Sequence, residues 1–309
     1  MNDSMTIRDL IAWGAGQFEA HGLAYGHGTD NALDESAALV LHALAIDYDQ
    51  PDSILDTQPD RQGLERARAL LQARVTTRKP AAYLVNQAWF AGMPFYVDER
   101  VLVPRSPVAE LIGARFMPWI EPDRVQAILD LCTGSGCIGI ACARAFPDAQ
   151  VTATDISAAA LAVAAENVRR HTMGSRVRLL EADLFTGLAH ERYDIIVSNP
   201  PYVPLDEYAG LAAEFRHEPA IGLAAGTDGL DSVAAILREA ADFLNPGGIL
   251  VVEVGYTMER LIDRYPSIPF VWLDFEHGGD GVFLLDQEQL VAHRAQFEAV
   301  AAGRGAAGI

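Results

Sequence analysis

The chain is short of cysteine, of positive charge and of long apolar runs, and each shortage narrows what it can be. Its three cysteines, Cys132, Cys137 and Cys142, are odd in number and lack the paired spacing of a metal site. They read as reduced, small, mostly buried residues, and no metal is expected. Lys and Arg total 23 against 42 Asp and Glu, a formal charge of −19. That argues against broad nucleic-acid binding through phosphate contacts, and no direct sequence-specific nucleic-acid binding is expected. It favours a basic protein partner, or simply solubility. No uninterrupted apolar stretch is long enough to span a bilayer, so no membrane partner is expected. The richest, residues 128–146, carries Asp130, Thr133, Ser135 and three glycines. Residues 1–10 hold no long apolar core, so no signal peptide is expected and the chain reads as cytoplasmic.

What is present is a globular composition, 50% apolar over 309 residues, enough for one large domain and a smaller one. Residues 1–85 read as helical, without strand pattern or repeat. Thr6 caps a helix with Ile7, Leu10, Ile11, Gly14 and Phe18 at helical spacing, and His21-Gly22 ends it. Further helices are predicted over 33–45 and 62–77, the latter stopped by Lys79-Pro80. His27, a lone histidine in the loop between helices, reads either as a substrate contact or, more plainly, as a capping or solvent-exposed residue. This unit is expected to dock substrate. Residues 86–105 read as a hairpin linker, with short strands at 88–90 and 95–97 around Gly92-Met93-Pro94. Arg105, at the entrance to the next domain, reads either as a contact for a carboxylate or as a surface arginine.

From residue 106 strands and helices alternate, the pattern of a parallel sheet covered on both faces. Strands are predicted over 125–131, 150–154, 177–181, 193–198 and 249–254, and helices over 108–116, 138–146, 158–171 and 229–244. Gly134-x-Gly136-x-x-Gly139 matches a dinucleotide fingerprint, with Asp155 at the spacing of a ribose-holding acid. That turn alone therefore admits a nicotinamide enzyme or another adenosine-cofactor enzyme. The acids at successive strand ends tilt the choice. Asp130 would oppose a pyrophosphate but attract a cationic amino-acid or sulfonium group. Asp183 is placed to accept from an adenine amine.

The fourth strand leads into Asn199-Pro200-Pro201-Tyr202. Two prolines forbid ladder pairing and stiffen the backbone at the strand's end, which in an open α/β sheet is where ligands bind. The Asn199 side-chain oxygen and the Pro200 carbonyl make a rigid pair of acceptors that suits a planar –NH2 group. Methyl transfer to an amide or amino nitrogen is the expectation, with a tight turn as the plainer alternative.

Asp130-Leu131-Cys132-Thr133-Gly134-Ser135-Gly136, Asp155, Asp183 and Asn199-Pro200-Pro201-Tyr202 resemble the seven-strand methyltransferases that modify amide or amino nitrogens. With the helical leader and Val103-Pro104-Arg105-Ser106-Pro107, the chain is similar over almost its whole length to the HemK/PrmC/PrmB group of protein-glutamine methyltransferases. Three stretches look most like the branch acting on large-subunit ribosomal protein three: residues 25–31, residues 95–107, and His217-Glu218-Pro219 with 222–229. Cys132 departs from the wider pattern, where glycine is usual, but is itself like that branch.

The resemblance implies a seven-stranded Rossmann-like class I methyltransferase domain at 106–309, with 271–275 and 282–285 as an antiparallel pair. Ahead of it stand a helical-bundle docking domain at 1–85 and the linker at 86–105. A last helix over 287–300 would precede a disordered Gly/Ala tail. It implies S-adenosylmethionine as cofactor, held by Asp130, Cys132, Thr133, Gly134, Ser135, Gly136, Asp155, Asp183, Leu184 and Asn199. The substrate site is Asn199, Pro200, Pro201 and Tyr202, with Asn199, Pro200 and Tyr202 catalytic. The protein substrate implied is large-subunit ribosomal protein three. Three alternatives stand beside it: a release-factor glutamine methyltransferase, a nucleic-acid adenine methyltransferase, and a non-catalytic ribosome-assembly factor.

Overall fold

Four helices form before any strand does. The computed structural model of the protein describes residues 5–47, 50–188 and 191–299. Helix α1 (Ile7–Ala20) begins at Thr6, whose hydroxyl accepts from the Asp9 N–H at 3.1 Å while the Asp9 carboxylate accepts from the Thr6 N–H at 3.0 Å. Helices α2 (Ala32–Leu44) and α3 (Arg61–Thr77) are capped by Asn31 and Asp60. Pro80 does not merely stop α3; it is the residue from which the short helix α4 (Ala81–Val85) starts. These helices close over a core of their own that includes Leu10, Phe18, Leu39, Val40, Ala67 and Leu71.

Strands β1 (Ala88–Phe90) and β2 (Met93–Phe95) form the hairpin, with Trp89 opposite Pro94. The second strand thus begins two residues before the predicted 95–97, and Ala91-Gly92 makes the turn. After α5 (Val108–Gly113) the chain alternates through β3 (Ala127–Leu131), α6 (Cys137–Ala145), β4 (Gln150–Asp155), α7 (Ala158–Arg170), β5 (Val177–Glu181) and β6 (Tyr193–Ser198). Short helices α8 (Leu205–Tyr208) and α9 (Ala220–Leu223) follow, then α10 (Asp231–Phe243), β7 (Leu244–Glu253) and α11 (Met258–Arg264). Strands β8 (Val271–Trp272) and β9 (Val282–Asp286) and helix α12 (Gln287–Ala292) complete the fold.

The seven strands lie in the order β5-β4-β3-β6-β7-β9-β8. The first five in that order run parallel, β9 is antiparallel to β7, and β8 is antiparallel to β9. Alternate residues of each buried strand face opposite sides. Ile128, Ile195 and Val251 join one core, and Leu129, Ile196 and Leu250 the other. The architecture is the α/β sheet covered on both faces that strand–helix alternation predicts. From β3 the chain first builds outward to β5 and then returns to lay β6 on the other side of β3. The carboxyl ends of β3 and β6 therefore flank the point where the winding reverses, the place such sheets bind ligands.

Several boundaries differ from the predicted ones. Helix α5 stops at Gly113 instead of 116, because Arg115 and Phe116 take left-handed φ angles of 53° and 54° that no helix continues. Residues 245–248 belong to β7, where a register irregularity opposite Tyr193 and Ile195 absorbs them. Strand β8 ends at Trp272, not 275, and α12 ends at Ala292 with His293 as its cap. The predicted helix end at 300 and the tail beyond it lie outside the described residues.

Buried carboxylates tie the helical layer to the chain after β6. Arg74, fully buried, donates to Glu35 at 3.1 Å and to the Ala24 carbonyl at 2.8 Å, and lies 3.6 Å from Glu214. Glu214 also accepts from Arg78 at 2.9 Å and from the Ala24 N–H at 3.1 Å. Glu218 takes the Arg105 fork at 2.5 and 2.8 Å and the Val103 N–H at 3.0 Å, and its Oε2 is 3.7 Å from His27 Nε2. His27 is only 4% exposed and packs its ring 4.3 Å from that of Phe215. The solvent-exposed reading of His27 is therefore wrong: the loop turns inward because Glu218 and Phe215 fill the space beneath it. Arg105 is a carboxylate contact, although its carboxylate comes from the protein itself.

Burial alone would raise the Glu218 carboxyl, but the nearby His27 and the Arg105 fork outweigh it and hold it at about 2. A depressed folded pKa stabilises the fold above the unfolded value of about 4.5 and loses that stabilisation as pH falls toward 2. The expected outcome is that wild type loses about 3 kcal/mol more unfolding free energy than Glu218→Gln between pH 5 and pH 2. Denaturant titrations of both proteins at several pH values check this. Parallel curves would remove Glu218 as the lock.

Candidate active site

Loops at the carboxyl ends of β3, β4, β5 and β6 and the linker before α5 enclose a crevice of about 290 Å³. The loop after β3 supplies Cys132, Thr133, Gly134 and Ser135 to its lining. It holds its shape through three bonds. The Thr133 N–H donates to the Thr154 carbonyl at 2.9 Å, and the Gly136 N–H to the Thr133 carbonyl at 2.9 Å. The Gly134 N–H donates to Asp155 at 2.9 Å. Cys132 adopts a left-handed φ of 57°, the conformation for which glycine is the default, so its Cβ is tolerated at some conformational cost.

Asp130 is not in the crevice. It is fully buried behind the loop and accepts from the Thr133 hydroxyl at 2.5 Å and the Gly139 N–H at 2.8 Å. Its role is to brace the turn against the first turn of α6. Gly139 is glycine because an added Cβ would come within 3.1 Å of the Asp130 carboxylate. Burial pushes the Asp130 carboxyl up to about 7, against the two hydrogen bonds that lower it. Gly136 likewise does not line the crevice; it is the left-handed N-cap of α6, with φ 80°.

Asp155 does line the crevice, as do Asp183 and Leu184. Each Asp155 oxygen accepts one backbone N–H, from Gly134 and from Ser157, both at 2.9 Å. Each keeps a second lone pair. Burial raises the Asp155 carboxyl and these bonds moderate the rise. The pair Asp155 and Asp183 suits hydroxyl and amine donors, the chemistry that the adenosine portion of a cofactor presents. The three thiols are free, and burial raises all of them, so none is a thiolate nucleophile at neutral pH.

Asn199, Pro201 and Tyr202 also line the crevice, while Pro200 is buried and outside the lining. The Ser198 hydroxyl donates to the Leu131 carbonyl at 2.9 Å, fastening the end of β6 to the end of β3. Beneath this segment lies Glu253, 5% exposed, at the end of β7. It accepts from the Ser106 hydroxyl at 2.5 Å and has the Tyr202 hydroxyl at 3.5 Å, and the Asn199 side chain is among the groups that lower its carboxyl against burial. Burial raises both the Glu253 carboxyl and the Tyr202 phenol. Sequence pattern gave no notice of Glu253, because an acid at the end of a buried strand carries no motif of its own. Its one signal is a charge inside an otherwise apolar run, 249–254.

A family model described as "Methyltransferase small domain" matches residues 113–218, the span from the end of α5 through Glu218. The chain is 48% identical over 299 residues to a protein of Xanthomonas campestris pv. campestris, covering 97% of each. It is 48% identical over 288 residues to one of Neisseria meningitidis serogroup B, covering 93% of this chain and 94% of the relative. A third, from Francisella tularensis subsp. tularensis, is 43% identical over 299 residues, 96% of this chain and 95% of the relative. All three are named ribosomal protein uL3 glutamine methyltransferase.

If Asp155 accepts from ribose hydroxyls, Asp155→Ala removes charge-assisted hydrogen bonds worth about 1.5–3 kcal/mol. The expected outcome in titration calorimetry with S-adenosylhomocysteine is an affinity lower by about 10- to 100-fold. Unchanged affinity would remove Asp155 from the cofactor site.

Proposed function

We propose that this chain, which belongs to the family of ribosomal protein uL3 glutamine methyltransferases, methylates the side-chain amide nitrogen of a glutamine in uL3, large-subunit ribosomal protein three. It is a methyltransferase, and its cofactor is S-adenosylmethionine. The observation that carries the site assignment is that Asn199 shares one crevice with Asp155 and Asp183. The acids take the adenosine side, and Asn199 faces the reacting nitrogen.

A glutamine amide is a poor nucleophile because its lone pair is delocalised into the carbonyl. S-adenosylmethionine supplies a sulfonium-activated methyl group, whose S–C bond breaks as the N–C bond forms. The protein's work is orientation and charge. The Asn199 Oδ1 atom and the Pro200 carbonyl accept the two amide N–H groups, hold the nitrogen toward the methyl carbon, and stabilise the positive charge it gains. Tyr202 flanks the planar amide. The methylated nitrogen then gives up its extra proton to solvent, so no strong general base is needed beforehand. Asp155 would hold the ribose and Asp183 the adenine amine. Thr133, Gly134, Ser135, Cys132 and Leu184 complete the cofactor's surroundings. Asp130 and Gly136 support the loop from behind.

Residues 1–85 act as the docking domain, 86–105 as the linker and 106–309 as the catalytic domain. The separate core of α1–α4 supports that division. So does the Glu214 and Glu218 lock, which joins those helices to the chain just past Tyr202. A protein that packs on ribosomal RNA is expected to be basic, and a formal charge of −19 complements it. The enzyme works in the cytoplasm. Among the described residues no helix is long and apolar enough to cross a membrane.

The test offers purified uL3 and, separately, a purified release factor to the enzyme with labelled cofactor. Label should enter a glutamine of uL3 and not the release factor. Asn199→Ala should bind S-adenosylhomocysteine within about twofold of wild type yet turn over at least about 100-fold more slowly. Label in the release factor alone would reassign the substrate. Near-normal turnover of Asn199→Ala would remove its role.

A further inference from the structure

An asparagine amide has two ends of nearly equal shape and opposite hydrogen-bonding character. The proposed chemistry requires the oxygen end of Asn199 in the crevice; with Nδ2 there instead, two N–H donors would meet the substrate's own. Something must choose between the two orientations.

The sheet puts a chooser in place. Ser198 is paired with Val252, so the next residues along the two parallel strands are Asn199 and Glu253. Glu253 is buried, and the Asn199 side chain beside it is among the groups that stabilise its ionised carboxylate. Ser106 accepts the Val108 N–H at 3.2 Å, which leaves its own hydroxyl hydrogen for Glu253 at 2.5 Å. The Tyr202 hydroxyl approaches the other carboxylate oxygen at 3.5 Å. Every neighbour is thus a donor, and an ionised carboxylate can only accept. We propose that Glu253 is a positioning residue: its carboxylate takes an Nδ2–H of Asn199 and thereby holds Asn199 Oδ1 toward the glutamine amide. This rests on the acceptor role proposed for Asn199.

The arrangement has a pH signature. Once protonated, Glu253 donates as well as accepts, and the preference for Oδ1 in the crevice is lost. Arg105 and Ser106 from the linker, and Tyr202 with Asn199 from the segment after β6, are the charged and polar groups facing Glu253. Arg105 stays charged throughout, engaged by Glu218, and Tyr202 stays neutral because burial raises its phenol. On β9 the residue opposite Glu253 is Val282, which does not titrate. Asp155 also titrates on the acid side, but its protonation is read in cofactor affinity and is common to wild type and Glu253 variants.

The experiment compares wild type, E253Q, E253D and N199A on uL3 across the acid range. E253Q presents both a donor and an acceptor, so kcat should fall about 10-fold or more while S-adenosylhomocysteine affinity stays within about twofold. The wild-type acid limb of kcat should be absent in E253Q. E253D keeps an acceptor-only head group and should retain more activity than E253Q together with the acid limb. In the N199A background, E253Q should cost nothing further. Wild-type kcat in E253Q, E253D no better than E253Q, or an undiminished E253Q effect in the N199A background would each overturn the proposal. Should N199A itself turn over normally, the acceptor reading fails first, and the two failures are told apart.

Discussion

Strand β6 ends because its backbone runs out of donors. Pro200 and Pro201 carry no N–H, so the pairing with β3 and β7 stops at Ser198 and the chain must leave the sheet. Asn199 therefore sits at the mouth of the crevice on the last residue before a stiff turn. Its position is inherited from a strand buried on both faces. The Ser198 hydroxyl on the Leu131 carbonyl fixes that end to β3, whose own loop lines the same crevice. One short link thus sets the separation between the loop after β3 and the segment that carries Asn199.

The protein is strongly acidic, and its buried and half-buried carboxylates divide by what they hold in place. Asp130 takes the Thr133 hydroxyl and the Gly139 N–H, Asp155 takes two backbone N–H groups, and both hold the loop after β3. Glu214 and Glu218 take arginines and bind the helical layer to the chain after Tyr202. Glu253 takes neutral side-chain donors and lies under Asn199. A buried acid without such partners would be costly. The chain that follows Asn199-Pro200-Pro201-Tyr202 passes through Glu214 and Glu218 before it reaches α10, so the placement of the helices and that of the segment after β6 are mechanically joined.

The parallel strands were legible because their β-branched runs are bounded by turn residues, and the helices with side-chain caps were legible for the same local reason. The seven-strand order was legible only through resemblance, because register is a long-range property. Helix α4 escaped notice because Pro80 reads as a terminator and a start alike. Asp130 was misplaced for a related reason. It is the penultimate residue of β3, and residues one apart on a strand face opposite sides, so its sequence position near the turn could not say which way it faced. Glu253, Glu218 and His27 meet partners scores of residues away, and no local pattern announces such contacts.

The central claim is that Asn199 faces the methyl group being transferred. A crystal structure with S-adenosylhomocysteine bound tests it most directly. The account predicts the ribose hydroxyls on Asp155 and the sulfur beside the space in front of Asn199 Oδ1. A ligand whose sulfur lies away from Asn199 would contradict it.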